Sequence, residues 1–506
     1  MHKIHWTLIF CLLAGAVSLV YMNSLTADFV YDDYAFICNN HAIRTLTPLS
    51  KFLFSPEAFS QPVSYHVFRP LASFSFALNY AAHGLEPAGF RAVNVLFHIL
   101  NAFLLFLVLR RIGLAELPSV LGALVFAVHP VHTEAVTWIS GRGNVLFLFF
   151  FLLSYLMYAG IDEAKGPGRW LLLAGAVGAY LLALLGKEMA LPLPALLLGH
   201  DLYVHGRREL KRRLKLYLPF VAVAAAYLIL RAEVLGRVGQ VEYHGGSSYT
   251  TFLAMLRAAA VYMRLLFVPV ELSLSRHFEP PQTFFDAGIL FSLFLVTAVI
   301  LMAYFLYRRV PLVSFGIYWF AAAMAPVSNI IPVNAIVADR FLYGPSIGFC
   351  IVAATAVQAA AGIPLRYRRL SVSAVVVLLF LLMTLAIRRN IDWRHPVLLW
   401  SKTAQLSPTS YVAWNNLALE YMKLGQAEES VEALQKALAL RDDLPQTHVN
   451  LARCYSQLGR VTEAAVHYSI ALDLMGDDPK IREELQALRR QHSAIPPPPR
   501  ASSDLE

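Results

Sequence analysis

The chain has 506 residues, of which 58% are hydrophobic and 15% charged, with 42 Lys and Arg against 33 Asp and Glu. A soluble domain carries about 45–50% apolar and about 25% charged residues, so an ordinary soluble enzyme is excluded and a polytopic membrane protein indicated. The formal charge of +9 calls for no nucleic acid partner, because basic residues of membrane proteins gather in cytoplasmic loops.

Apolar runs near 5–24, 92–109, 116–135, 145–160, 169–185, 189–204, 215–232, 285–307, 311–330, 344–362 and 370–387 predict eleven crossings. The first run is expected to stay uncleaved, since no small-x-small site follows it. The stretch 252–270 carries Arg257 and Arg264 and reads as an interfacial or re-entrant helix. On that reading Arg110-Arg111, Lys165, Arg169, the run Arg207–Arg213, Arg308-Arg309 and Arg366, Arg368, Arg369 share one side, the cytoplasm by the positive-inside rule. The N-terminus is then inside and the C-terminus outside. Loops 25–91, 129–144, 186–188, 233–284 and 331–343 face the extracytoplasmic side and hold nearly all the unusual polar residues. Cys11, Cys38, Cys350 and Cys454 show neither disulfide nor metal spacing.

Within those loops the first motif is Tyr31-Asp32-Asp33-Tyr34. A carboxylate near hydrocarbon is partly desolvated, its pKa rises, and it becomes a better general base; the bland alternative is a solvated loop. Arg69 precedes Pro70, which keeps it extended. Arg91, Asn94, His98 and Asn101 form a polar stripe at helical spacing, which reads as a hydrogen-bonded helix seam. His129, His132 and Glu134 lack the i, i+4 spacing of a zinc helix, and suit a polar pocket for sugar hydroxyls, with Arg142 toward an anion. Lys187 and Glu188 break two apolar runs, a position that favours holding an anionic group. Asp339 and Arg340 open the tenth span, where helix dipole and guanidinium would suit a phosphate. A lipid-phosphate sugar is both anionic and membrane-borne. The absence of a Walker-type loop argues against a nucleotide-driven pump or a nucleotide-sugar donor. No cofactor is required; a divalent ion among Asp32, Asp33 and His129 is the alternative.

After the last span the chain repeats with a period of 34. Trp414, Leu417, Ala418, Tyr421, Gly425, Ala437 and Leu438 are matched by His448, Leu451, Ala452, Tyr455, Gly459, Ala471 and Leu472. This is the tetratricopeptide pattern. Trp400, Ala404 and Pro408 read as half of a preceding repeat, and 479–492 as a capping helix. The domains expected are a membrane domain over 1–390, repeats and cap over 391–492, and a disordered Pro-rich tail over 493–506.

The motifs Tyr31-Asp32-Asp33, Phe68-Arg69-Pro70-Leu71, His129 through Val136, Ser140-Gly141-Arg142, Gly186-Lys187-Glu188, Ala338 through Ser346 and Arg389 through Trp393 resemble the transmembrane and tetratricopeptide repeat-containing O-mannosyltransferases, over about residues 25–475. The resemblance implies an all-α membrane bundle of the GT-C glycosyltransferase type followed by repeats. It implies transfer of a hexose from a polyprenyl-phosphate sugar donor to a protein Ser or Thr with inversion, Asp32 or Asp33 acting as base. Two departures stand out. Asn144 replaces an Asp frequent in the family, and the repeats are few, which suggests a bacterial relative in the inner membrane with site and repeats in the periplasm. The repeats would hold an acceptor protein or an assembly partner. Competing readings are transfer to a lipid or polysaccharide, a non-catalytic membrane-anchored repeat scaffold, and a transporter, the last disfavoured by the lack of matching halves.

Overall fold

The computed structural model describes residues 2–61, 67–236, 242–277, 279–360, 365–476 and 478–491; the side chains of 2–4, 365–371 and 491 are not described. The Pro-rich tail lies outside the described residues. The chain forms two compact units, Met1–Leu272 with Phe278–Arg394, and Ser273–His277 with His395–Glu506.

The first unit is helical: α1 (His2–Tyr21), α2 (Lys51–Phe54), α3 (Pro70–His83), α4 (Pro87–Arg111), α5 (Glu116–Val128), α6 (Thr133–Thr137), α7 (Arg142–Ala159), α8 (Pro167–Gly186), α9 (Leu193–Val204), α10 (Arg207–Leu235), α11 (Ser248–Phe267), α12 (Ala287–Leu306), α13 (Pro311–Met324), α14 (Ser346–Ala360) and α15 (Leu365–Arg394). Eight helices among the described residues are long and apolar enough to cross a membrane, or nine if the pair Glu116–Val128 and Pro130–Thr137, bent by 49°, is one span. Eleven crossings were expected, and the differences have physical causes. Residues 189–204 yield only the twelve-residue α9, about 18 Å long against roughly 30 Å of hydrocarbon. Pro311–Val327 and Ser346–Ala360 are likewise short. The stretch expected to lie at the interface is instead a twenty-residue helix, α11, that meets the criteria for a span.

The polar stripe of α4 is the seam its spacing predicted. It supplies donors to backbone carbonyls along the bent segment 129–145, where α6 ends and α7 begins. Asn94 Nδ2 donates to Val136 O (3.1 Å) and Trp138 O (3.0 Å), Asn101 Nδ2 to Val145 O (3.0 Å), and Arg91 Nε to Thr137 O (3.1 Å). Irregular backbone at membrane depth persists only where such partners exist. α5 stops at Val128 because Pro130 forces His129 to extend (ψ 126°). α7 and α8 then pack closely through two glycines. A Cβ on Gly143 would meet Gly186 O at 3.0 Å, and one on Gly186 would meet Phe147 N at 3.1 Å.

The second unit contains α16 (Pro396–Leu406), α17 (Tyr411–Lys423), α18 (Ala427–Leu440), α19 (Pro445–Gln457), α20 (Val461–Met475) and α21 (Pro479–Gln491). Gly425 and Gly459 turn the chain between paired helices with φ of 74° and 71°, conformations that glycine adopts without penalty. Ala418, Ala437, Ala452 and Ala471 are fully buried between the helices. α21 closes the stack through Glu484, which receives both Nε (3.0 Å) and Nη2 (2.7 Å) of Arg453.

Candidate active site

The two adjacent carboxylates are placed differently. Asp33 is fully buried. Its Oδ2 accepts from Val30 N (3.0 Å), and its Oδ1 from Ser140 N (2.8 Å) and the Ser140 hydroxyl. Burial pushes the Asp33 carboxyl above its ordinary range, opposed by Ser140, Val30 and Arg91. It therefore clamps the first loop to the turn before α7. Asp32 is half-buried, and its charge acts on both Arg69 and Arg340. The residue before it, Tyr31, has φ 53°, a strained conformation for a non-glycine residue. Its ring stacks on Trp138 (6.0 Å, 26°), which stacks on Trp393 (6.1 Å, 26°).

Three cations gather at the site, two of them, Arg69 and Arg340, beside Asp32. Arg69, extended ahead of α3, faces Glu188, Arg340 and Asp32; its Nε is buried without a hydrogen-bond partner among the described residues. Lys187 sits at the C-terminus of α8 and donates to Asn144 Oδ1 (2.7 Å). Arg340 lies in the turn Asp339–Leu342; its backbone N (2.8 Å) and its guanidinium both bond to the Glu134 carboxylate. The Phe341 ring carries both the Lys187 ammonium (5.7 Å) and the Arg340 guanidinium (5.2 Å). Arg340 also lies over Trp138 at 5.6 Å. Gly143 lies against both Arg69 and Lys187, since a Cβ there would be in contact with Arg69 Cδ (3.5 Å) and Lys187 Cβ (3.8 Å).

The charges shift one another. Burial, reinforced by Arg69, holds the Lys187 ammonium well below the usual lysine range, with Glu188 opposing. Burial lowers the Arg69 guanidinium too. For Glu188 burial acts upward, but Arg69, Arg231 and Lys187 outweigh it and leave the carboxyl below its ordinary value. Burial opposes the Arg340 charge, and Glu134 restores it and more. An anion entering this cluster would meet desolvated cations and, at Arg69, a buried Nε without a partner among the described residues, the setting in which charge-assisted bonds are strong.

The structure thus brings together Asp32, Arg69, Glu134, Lys187, Glu188 and Arg340, with Asp339 buried in the turn that carries Arg340. It places the others in packing roles. Arg142 is fully buried and donates to Asn94 Oδ1, to the Ser75 hydroxyl (3.0 Å) and to Phe90 O (2.8 Å). All three guanidinium nitrogens are thereby engaged in bracing α3 and α4. His129 Nδ1 accepts from Val131 N (3.2 Å) and its Nε2 meets Leu266 O (3.0 Å). His132 packs against Phe126 (4.5 Å) and Tyr343 (5.1 Å). Among the described residues no three His, Cys, Asp or Glu side chains are grouped to hold a metal ion.

Two site residues escaped the sequence reading. Tyr227 and Arg231 on α10 approach Glu188 and Arg69. The Tyr227 hydroxyl and Arg231 Nε are buried and lack hydrogen-bond partners among the described residues. The available signal was Arg231 itself, a charge at the end of an apolar run, where ionisable residues usually have a task. Next to the cluster, a small apolar crevice is lined by Phe147, Phe151, Met189, Trp319, Gly344 and Pro345.

Fold and site define an integral membrane protein of helical bundle and tetratricopeptide repeats, with an acid–cation cluster at one end of the bundle. The tetratricopeptide repeat family model matches residues 409–477. The chain is 28% identical to the mouse protein O-mannosyl-transferase TMTC3 over 92% of this chain and 54% of that protein. It is 36% identical to the human protein O-mannosyl-transferase TMTC4 over 39% of this chain and 29% of that protein. The resemblance drawn from the motifs is thus borne out over nearly the whole chain, which spans about half the length of the TMTC3 proteins it matches. Among solved structures, ArnT from Cupriavidus metallidurans bound to undecaprenyl phosphate is similar over 92% of this chain and 80% of that one, at 13% identity and a TM-score of 0.44.

Proposed function

We propose that this protein is a glycosyltransferase that moves a mannose-like hexose from a polyprenyl phosphate to a Ser or Thr hydroxyl of a protein. The observation that carries the assignment is the juxtaposition of a half-buried Asp32 with Arg69 and Arg340, while the neighbouring Asp33 is engaged by three donors. Asp32 removes the proton from the acceptor hydroxyl as that oxygen attacks the anomeric carbon. The bond from that carbon to the phosphate oxygen breaks, and the lipid phosphate leaves with the electron pair. One displacement inverts the anomeric centre. Arg69, Lys187 and Arg340 stabilise the charge that develops on the leaving phosphate. No cofactor enters the reaction as written. Relatives named as protein O-mannosyl-transferases support the choice of sugar and acceptor.

We further place the site and the repeats on the extracytoplasmic face of a bacterial inner membrane, with the repeats engaging the acceptor or an assembly partner. In support, the basic loops 110–111, 160–169 and 205–213 meet at the opposite end of the bundle, through Arg111 with Glu163 and Arg213 with Asp162. The test supplies purified protein with polyprenyl-phosphate mannose, glucose or N-acetylglucosamine and a periplasmic extract. Transfer from one donor that disappears in Asp32→Asn supports the proposal; no transfer from any donor, or full transfer by the variant, overturns it.

A further inference from the structure

At the end of the bundle opposite the acid–cation cluster, α10 begins with Arg207-Arg208-Glu209-Leu210-Lys211-Arg212-Arg213-Leu214-Lys215. The helix has 29 residues, about 43 Å, and so overhangs a roughly 30 Å hydrocarbon layer by about nine residues. Those nine correspond to the basic run. Its one inward residue, Arg213, is held by Asp201 Oδ2 (2.7 Å) and Asp162 Oδ2 (2.7 Å). Asp201 also accepts from the hydroxyls of Tyr158 (2.6 Å) and Tyr217. This buried network fixes the rotation of the helix, so that Arg207, Arg208, Lys211, Arg212 and Lys215 all face outward and are exposed. Arg212 pairs with Glu209 (3.2 Å). The other four make no ion pair among the described residues. Within the run and beyond it, the exposed residues also include the apolar Leu214, Leu218 and Val221. Beside this face, the loop bearing Asp162 leads to Lys165, Arg169 and the exposed Trp170 at the start of α8, which packs against α10. Tryptophan and basic residues at that depth belong to the headgroup layer.

We propose that the Arg207–Lys215 face is a binding site for anionic phospholipid headgroups of the membrane in which the chain sits. Four unpaired cations on one rigid helical face, at headgroup level and rimmed by apolar side chains and a tryptophan, match a lipid phosphate that carries net negative charge; zwitterionic headgroups cancel that attraction. The Arg213 network makes the face a built surface rather than a floppy loop.

The test uses the full-length protein, purified in detergent and equilibrated with equimolar phosphatidylglycerol and phosphatidylcholine, and counts retained lipids by native mass spectrometry. We expect phosphatidylglycerol to be retained over phosphatidylcholine by about ten-fold, and 0.5 M salt to erase the preference. Arg207→Gln/Arg208→Gln/Lys211→Gln/Lys215→Gln, which spares Arg213, should lose it, while Arg308→Gln/Arg309→Gln should keep it. If the quadruple variant fails to fold, the salt dependence of the wild type decides. Equal retention of both lipids by the wild type, salt-insensitive retention, an unchanged preference in a folded quadruple variant, or equal loss in the Arg308/Arg309 pair would each overturn the proposal.

Discussion

Replacing Asp33 by Asn tests whether the two adjacent carboxylates divide into clamp and base. Asp33 is buried and takes bonds from Val30 N, Ser140 N and the Ser140 hydroxyl. An amide keeps one acceptor but turns an NH₂ toward a backbone donor. Losing a charge-assisted hydrogen bond costs about 1.5–3 kcal/mol and an unsatisfied buried donor about 1–3 kcal/mol. With partial relaxation, a net destabilisation of about 2–4 kcal/mol is expected for Asp33→Asn. Asp32 is half-buried, so Asp32→Asn should shift stability by less than about 1 kcal/mol yet lower transfer by roughly 10²–10⁴-fold, the usual contribution of a general base. Thermal exposure of Cys350, buried in α14, reports unfolding of the bundle through a thiol-reactive fluorophore, in a background where the other three cysteines are serine. Donor turnover on the same preparations reports catalysis. Co-melting of Asp33→Asn with the wild type, or near-normal turnover by Asp32→Asn, would refute the division of roles.

Three further outcomes follow from the geometry. Gly143→Ala places a methyl 3.0 Å from Gly186 O and within 3.8 Å of Lys187 Cβ; transfer should fall at least ten-fold for a stability loss of about 1–3 kcal/mol, measured in the same melt and turnover assays. Arg69→Gln should raise KM for the lipid donor by about 30-fold and also lower the melting temperature, because the desolvated Glu188 carboxylate loses the largest of its cationic partners; an unchanged melt with an unchanged KM would contradict this. In the repeat unit, His467 stacks on His448 with Nδ1 atoms 2.9 Å apart, and burial followed by His448 lowers its pKa from 6.5 to about 4. The unfolded chain therefore binds the proton more readily, so this contribution is complete above pH 6.5 and is lost as pH falls toward 4. The unfolding midpoint of the repeats, followed in the full chain by Cys454 labelling, should drop across that window and flatten in His467→Phe.

The repeats were legible because identical packing demands recur every 34 residues, and the α4 seam because Asn94, His98 and Asn101 share one helical face. The site was legible as a collection of residues but not as a geometry. Arg142 and Arg69 look equivalent in sequence, each a cation in an outer loop. Only the fold shows that Arg142 is engaged by Asn94, Ser75 and Phe90 while Arg69 faces Asp32 and Glu188. Likewise Asp32 and Asp33 are neighbours whose side chains diverge, and the direction of divergence is set by Ser140, more than one hundred residues away. The span count failed where apolar composition continued through a helix end, as at Pro130 and before Leu193; hydropathy measures transfer to lipid, not where a backbone stops being helical.

The glycine seam between α7 and α8 has a mechanical meaning. Hydrogen is the side chain that fits on either side of it, so Lys187 at the end of α8 and Asn144 at the start of α7 are spaced by backbone rather than by rotamers. That half of the site behaves as a fixed jaw, stiff on the timescale of a helix pair. Substrate entry and product exit must then be accommodated by the other half, where Tyr31 already holds a strained backbone on a loop stacked against Trp138. On the proposed function, a stiff jaw opposed by a tensed loop would let the acceptor side adapt to different polypeptides while the seat of the leaving phosphate stays constant.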